Sequence, residues 1–237
     1  MPEPLTSVFF SPCAWDMAWH AGAARALLET KVLDRVTTLG GGSGGAFVAV
    51  VLASGLPYHE FDFHLDRMVL RAKGHRAFRN VSGLLSESMD DLMAMRDQTN
   101  PKKEWLWKPY ATVTVFGKVW PYLGAEIMEA PLYQDTAGIK DLVMASCYIP
   151  GYFEAAPKLN GARAYDGGFF IWDIRVPGVL NVAPHRPYGH NCIGYSEAKP
   201  YYLCGGSYLP SMARIHELRE AGYESALRWI REYGGVP

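Results

Sequence analysis

The run Gly40-Gly41-Gly42-Ser43-Gly44-Gly45 places one hydroxyl among five glycines. Gly41-Gly42-Ser43-Gly44-Gly45 fits G-x-S-x-G, the pattern of a serine raised on a sharp strand-to-helix turn, where side chains on the neighbours would strike adjacent backbone. A helix opening just after Ser43 would aim its free amides and positive dipole end at the hydroxyl, favouring the negative charge that builds up in acyl transfer. Two other readings stay open. The same residues satisfy G-x-G-x-x-G, a dinucleotide cradle, although that motif wants an acid ending the next strand. The equivalent stretch here, Tyr58-His59-Glu60-Phe61-Asp62, has helical character. The glycines can also form nothing more than a tight connection.

Ser43 needs a base. Asp166, in Ala164-Tyr165-Asp166-Gly167-Gly168, closes a short strand, and the two following glycines leave its carboxylate open to approach by another segment. A plain Asp-Gly turn is the alternative. By chain order His185, His190 and His216 could complete a Ser-His-Asp triad, though none sits in a distinctive local pattern.

The elements that would carry these groups alternate. Residues 6–10 read as a buried strand, 18–30 as a helix, 35–39 as a second strand running into the glycines, and 46–53 as a helix apolar all round. Strand, helix, strand, helix in the first 55 residues argues for a parallel sheet covered by helices. Further on, helical spacing covers 58–73 and 86–97, and 111–116 reads as a β-branched strand with a second at 122–128. Residues 138–146 read as a helix, 162–165 and 178–183 as strands, and 209–232 as a final helix. No repeat or long polar linker divides the chain, so one domain over residues 1–237 is expected.

Composition narrows the function. With 23 Lys+Arg against 24 Asp+Glu the net charge is −1, which supplies no field for a nucleic-acid backbone. Cys13, Cys147, Cys192 and Cys204 lie far apart without metal-ligand spacing, which argues against a zinc site or disulfide framework and fits a reducing, cytoplasmic setting. MPEPLTSVFF lacks the basic stretch of a signal peptide, and the longest apolar run, 46–56, is too short to span a bilayer.

Several segments together resemble the patatin-like lipid acyl hydrolases, in order over about residues 7–233. Leu39–Ala46, LGGGSGGA, is similar to the family's nucleophile segment, and Tyr165-Asp166-Gly167-Gly168 to its D-G-G segment. Ala145-Ser146-Cys147-Tyr148-Ile149-Pro150, Gly161–Tyr165 and Gly222–Ile230 resemble the adipose triglyceride lipase subgroup. The resemblance implies a three-layer α/β/α fold with a mainly parallel sheet and hydrolysis of acyl-lipid esters, of phospholipase A or acylglycerol lipase type. It implies a Ser-Asp dyad, with Ser43 as nucleophile and Asp166 as base through an acyl-serine intermediate, and no cofactor or metal. It also implies an acyl-lipid substrate met by peripheral contact with a membrane or lipid droplet, and no nucleic-acid partner. Lys102-Lys103-Glu104-Trp105-Leu106-Trp107-Lys108-Pro109-Tyr110 mixes basic and aromatic residues as interfacial segments do, although tryptophans also pack into ordinary cores.

The segment after the first strand departs from the family. Where the family has a glycine-rich oxyanion turn, this chain has Ser11-Pro12-Cys13-Ala14-Trp15-Asp16-Met17-Ala18. Pro12 has no N–H, Ala14 and Met17 take positive φ only at a cost, and Asp16 adds negative charge. Either the amides of Cys13, Ala14 and Gly44 still converge as oxyanion donors, or the loop has collapsed. Collapse would leave a catalytically impaired, patatin-fold lipid-binding or interaction protein, since one lost donor costs about 3–4 kcal/mol. Trp15 and Trp19 could shape an acyl entrance or cover the first helix, and Phe169-Phe170-Ile171-Trp172-Asp173 could line a groove or close the core, with core packing favoured.

Overall fold

A computed structural model describes residues 4–74, 81–100, 105–119, 122–129, 136–153, 157–159, 162–169, 171–195 and 209–234. Strands β1 (Ser7–Phe10) and β2 (Thr38–Gly42) flank helix α1 (Met17–Glu29), and β2 passes directly into α2 (Gly44–Ala53). Helices α3 (Tyr58–Gly74) and α4 (Val81–Thr99) follow, then the hairpin β3 (Lys108–Val119) and β4 (Tyr122–Glu129), and α5 (Thr136–Ser146). Strands β5 (Lys158–Leu159), β6 (Ala162–Asp166), β7 (Val179–Pro187) and β8 (Cys192–Tyr195) precede α6 (Met212–Trp229), which ends in a π-helical turn, Ile230–Gly234.

The centre of the sheet is parallel, in the order β3-β2-β1-β7-β8, and helices flank it, as the α/β expectation has it. All four residues of β1 are buried, as a central parallel strand requires. Val8, Phe10 and Leu39 belong to the large core shared with the helices, whereas Phe9 packs with Tyr110 and Ile174 in a smaller cluster. Every residue of α2 is buried, which explains its lack of a polar face.

Strand β2 differs from its expected place. Residues 33–35 form a 3-10 turn, and the strand runs from Thr38 through Gly42, so the glycines lie inside the sheet. Glycine has weak strand propensity, but β1 and β3 hydrogen-bond β2 from both sides, and packing excludes larger residues. A Cβ on Gly40 would enter the Tyr110 ring, and one on Gly42 would lie 2.6 Å from Thr112 Oγ1. Strands β5 and β8, which are two and four residues long, carry too little pattern to be read from sequence.

α1 and α6 cross backbone to backbone. A Cβ on Gly22 would overlap the Arg219 carbonyl, and one on Gly222 would overlap the Trp19 carbonyl. Gly→Ala inside a helix ordinarily stabilises by up to about 1 kcal/mol. Here the sign reverses, because backbone cannot rotate aside as a side chain can. Gly222→Ala is expected to destabilise by about 1–3 kcal/mol, read as a lower midpoint in urea unfolding.

Candidate active site

Both chemistry-bearing residues stand at one break in the sheet. Along one edge of β3, β2 pairs in parallel as far as Gly42 opposite Thr112. The next residue of β3, Val113, pairs instead with Asp166 of β6, which arrives antiparallel. Two strands thus meet end to end, and each delivers its last residue to the junction. Thr112 is fully buried there, and a Cβ on Gly167 would overlap its carbonyl. This explains the first glycine after the acid.

Ser43 follows Gly42 and caps α2 with φ 53° and ψ −128°. A non-glycine residue held there stores about 1–3 kcal/mol of backbone strain. None of Gly40, Gly41, Gly42, Gly44 or Gly45 has positive φ, so the strained residue of the run is the serine itself. The glycines serve close approach: Gly41 abuts the Gly45 backbone, and Gly45 abuts the Phe10 and Ser11 carbonyls. A dinucleotide cradle does not fit this connectivity, because three helices, α2, α3 and α4, intervene before the next strand, and Tyr58–Asp62 lies within α3.

Ser43 and Asp166 are each 5% exposed. Burial pushes the Asp166 carboxyl up from an ordinary 3.8 to about 7, against hydrogen bonds from the Ser43 side chain and the Gly168 N–H, which favour the ionised form. The Gly168 N–H donates to Asp166 Oδ1 at 2.7 Å. The structure therefore brings the two residues singled out in the sequence to one junction, where the Ser43 side chain favours the ionised form of the buried Asp166 carboxyl.

The three histidines lie elsewhere. His185 packs edge-on against Trp172, His190 packs against Tyr233, and His216 is exposed on α6. The buried histidine near this region is His20, whose Nε2 lies 2.8 Å from the Ser11 carbonyl oxygen, and burial lowers its pKa to about 3. It acts on the loop rather than on the serine.

That loop stays against the elbow although its glycines are gone. Ala14 adopts φ 47°, so the left-handed turn survives on alanine. A Cβ on Gly44 would lie 2.6 Å from the Ala14 carbonyl oxygen and 3.1 Å from Cys13 Sγ, which places Cys13, Ala14 and Gly44 side by side. The Cys13 carbonyl accepts from the Asp16 N–H at 2.9 Å, closing the turn. Burial raises the Asp16 carboxyl to about 6, and Arg214 opposes that rise.

An apolar cavity of about 70 Å³ opens at Ser43. Ala14, Trp15 and Gly44 border it beside the serine, while Met68 of α3 and Leu84 and Leu85 of α4 supply aliphatic wall. Trp15 thus faces the cavity, whereas Trp19 is fully buried against His20 and Tyr195. Among the described residues, the segment after Asp166 does not line it. Ile171 and Ile174 join the small core cluster and Phe169 is half exposed, while Phe170 lies outside the described residues.

Sequence reasoning gave no role to Ser146, Cys147 and Tyr148, though all three lie in a segment it had singled out. The Ser43 N–H donates to Ser146 Oγ at 2.9 Å, and Ser146 Oγ donates to the Thr112 carbonyl at 2.8 Å. Burial and then the Asp166 charge push the Cys147 thiol well up, against a hydrogen bond with the Ser43 side chain. The Cys13 thiol is also raised, chiefly by burial and next by Asp16, so both thiols are protonated and weak nucleophiles. Among the described residues no cluster of His, Cys, Asp and Glu could hold a metal ion.

The family model for patatin-like phospholipases matches residues 10–171, more than half of the chain, and spans both Ser43 and Asp166. The chain belongs to the patatin-like phospholipase family. Solved structures agree on the fold. A chain of the heterodimeric ExoU–SpcU complex from the type III secretion system of Pseudomonas aeruginosa superposes with a TM-score of 0.61 at 15% identity, over 98% of this chain and 52% of that one. VipD from Legionella pneumophila gives 0.55 at 13% identity, over 98% of this chain and 67% of its own. The patatin-like chain described here thus spans only about half to two thirds of the chains it superposes on. No curated protein matched the sequence.

Proposed function

We propose that this patatin-like protein hydrolyses the ester bonds of acyl lipids with Ser43 as nucleophile and Asp166 as general base. The observation that carries this reading is the strained Ser43, delivered by the strand register to the same junction as a carboxyl that burial has raised to about 7, at the edge of an apolar cavity. A serine hydroxyl attacks only as its proton leaves, and a carboxylate in this pKa range can take that proton directly.

In the proposed course Asp166 accepts the Ser43 proton as Oγ adds to the ester carbonyl. The amides of Cys13, Ala14 and Gly44 receive the oxyanion. Asp166 returns the proton to the departing alcohol, leaving acyl-Ser43. It then takes a proton from water, whose oxygen adds to the acyl carbon, and passes that proton to Ser43 Oγ as the fatty acid departs, restoring both residues. The cavity walls from α3 and α4 would hold the acyl chain. The segments similar to the adipose triglyceride lipase subgroup favour phospholipid or acylglycerol esters.

Peripheral contact with a lipid surface belongs to the same proposal. Among the described residues no helix is long and apolar enough to cross a membrane. Lys102–Glu104 lie outside the described residues. Trp105 sits half-buried under the Arg96 guanidinium, and the Trp107 Nε1–H donates to the Leu33 carbonyl, so both tryptophans serve packing, while Leu106 is 63% exposed.

A second reading, a lipid-binding protein without turnover, draws on Asp16, whose ionised form would oppose an oxyanion on the adjoining turn. One experiment separates the two. A fluorophosphonate probe should label Ser43, and a short nitrophenyl ester should turn over with kcat/KM rising as pH increases through about 7, because the base must be ionised. A folded protein that neither labels nor hydrolyses supports the binding role instead.

A further inference from the structure

We propose that Ser146 is a positioning residue for the Ser43–Asp166 pair, acting through a three-residue strap formed with Cys147 and Tyr148. The inference rests on the reading of Ser43 as nucleophile. The β2–β3 ladder stops at Gly42 opposite Thr112, and β6 takes over one residue later. Parallel pairing therefore cannot continue to Ser43, yet its N–H is buried and must find an acceptor.

The Ser146 hydroxyl fills that gap in both senses at once. It accepts from Ser43 N–H at 2.9 Å and donates to the Thr112 carbonyl at 2.8 Å, and Ser146 is itself fully buried. Only a side chain that is donor and acceptor at one atom does both. The next residue, Cys147, is buried beside the pair, its thiol pushed up by burial and by the nearby Asp166 charge. The one after it, Tyr148, accepts the Asp166 N–H on its carbonyl at 2.9 Å.

Ser146 and Tyr148, two residues apart, thus grip the backbone of the nucleophile and the backbone of the base. The strap is itself anchored to α5, since Cys147 N–H donates to the Val143 carbonyl at 3.0 Å. Removing the Ser146 hydroxyl frees the Ser43 peptide to relax from φ 53°, which turns Oγ away from Asp166 and from the oxyanion amides. Misplacement of a reacting group by about 1 Å costs about 10²-fold in rate.

The test uses the full chain and two probes, a fluorophosphonate and a short nitrophenyl ester. Ser146→Ala is expected to slow Ser43 labelling and to lower kcat by about 10- to 100-fold per folded molecule, with KM within about two-fold of wild type. Ser146→Thr, which keeps the hydroxyl, restores most of the loss. Ser146→Cys, close in size but a weak hydrogen-bonder, behaves like the alanine variant and carries the test if Ser146→Ala does not fold. A folded Ser146→Ala or Ser146→Cys that labels and turns over at the wild-type rate, with only its melting temperature lowered, overturns the proposal. So does a folded Ser146→Thr no faster than Ser146→Ala. If folded wild type itself never labels, the nucleophile reading fails first and the strap loses its purpose with it.

Discussion

Asp166→Asn is expected to abolish ester turnover, by about 10⁴-fold or more, and at the same time to raise the melting temperature at pH 8. The first effect follows from removing the group that accepts the Ser43 proton. Ser43→Ala should lose as much, and the double variant little more, because the two act as one unit. The second effect follows from linkage. The folded-state pKa of Asp166, about 7, lies above its ordinary 3.8, so between these values the folded protein holds a proton that the unfolded chain has released. The contribution of this carboxyl to stability is full below about 4 and is lost as pH rises through 7, by about 1.4 kcal/mol per pH unit across the window. Asparagine carries no charge to desolvate. Thermal melts should therefore show a large gain for Asp166→Asn at pH 8, a smaller gain at pH 5, and little change only near pH 3. A variant destabilised at pH 5 and pH 8 would mean that the carboxylate is held by favourable contacts in the folded state, and the base would need another source of tuning.

The oxyanion turn makes the second large prediction. Ala14→Pro should reduce kcat by about 10²- to 10³-fold, the cost of one lost oxyanion donor, because proline both removes the N–H and forces φ to about −65° where the turn holds +47°. Ala14→Gly should keep the activity and stabilise the fold by about 1 kcal/mol, since a left-handed conformation penalises alanine and not glycine. The pair is diagnostic when each variant is assayed with the nitrophenyl ester and melted. If Ala14→Pro stays active, the oxyanion is held without this turn, and the departure of residues 11–18 from the family pattern matters less than its chemistry suggests. If Ala14→Gly is more active than wild type, the alanine limits the rate, and the loop of this chain is a weakened version of the glycine turn.

The stored strain is concentrated at the chemistry. Among the described non-glycine residues, positive φ occurs at Ala14, Ser43 and Lys31, and the first two flank the cavity mouth. Strain of this kind persists only where neighbours over-determine the backbone. Around Ser43 those neighbours are the β2 ladder, α2 and Ser146; around Ala14 they are the Asp16–Cys13 turn and His20, which holds the Ser11 carbonyl.

Much of this was legible in the residues alone. The all-apolar 46–53, the alternation of short strands with helices, and a serine among glycines are local patterns, and local patterns report the period of the element and the tightness of a turn. The element types along the first 55 residues and the candidate pair Ser43 and Asp166 follow from them. Other features are products of long-range pairing that no local window contains. That β2 runs through its glycines depends on the Tyr110 ring and on Thr112, far along the chain. That Asp166 meets Ser43 depends on β2 and β6 sharing one edge of β3, and its raised pKa depends on the burial that this junction creates. The positive φ of Ala14 and the bridging role of Ser146 arise in the same way, from backbone groups that the sheet leaves unpaired where one strand ends and another begins. Residue type and spacing determine which groups can react; the register of three strands decides which of them touch.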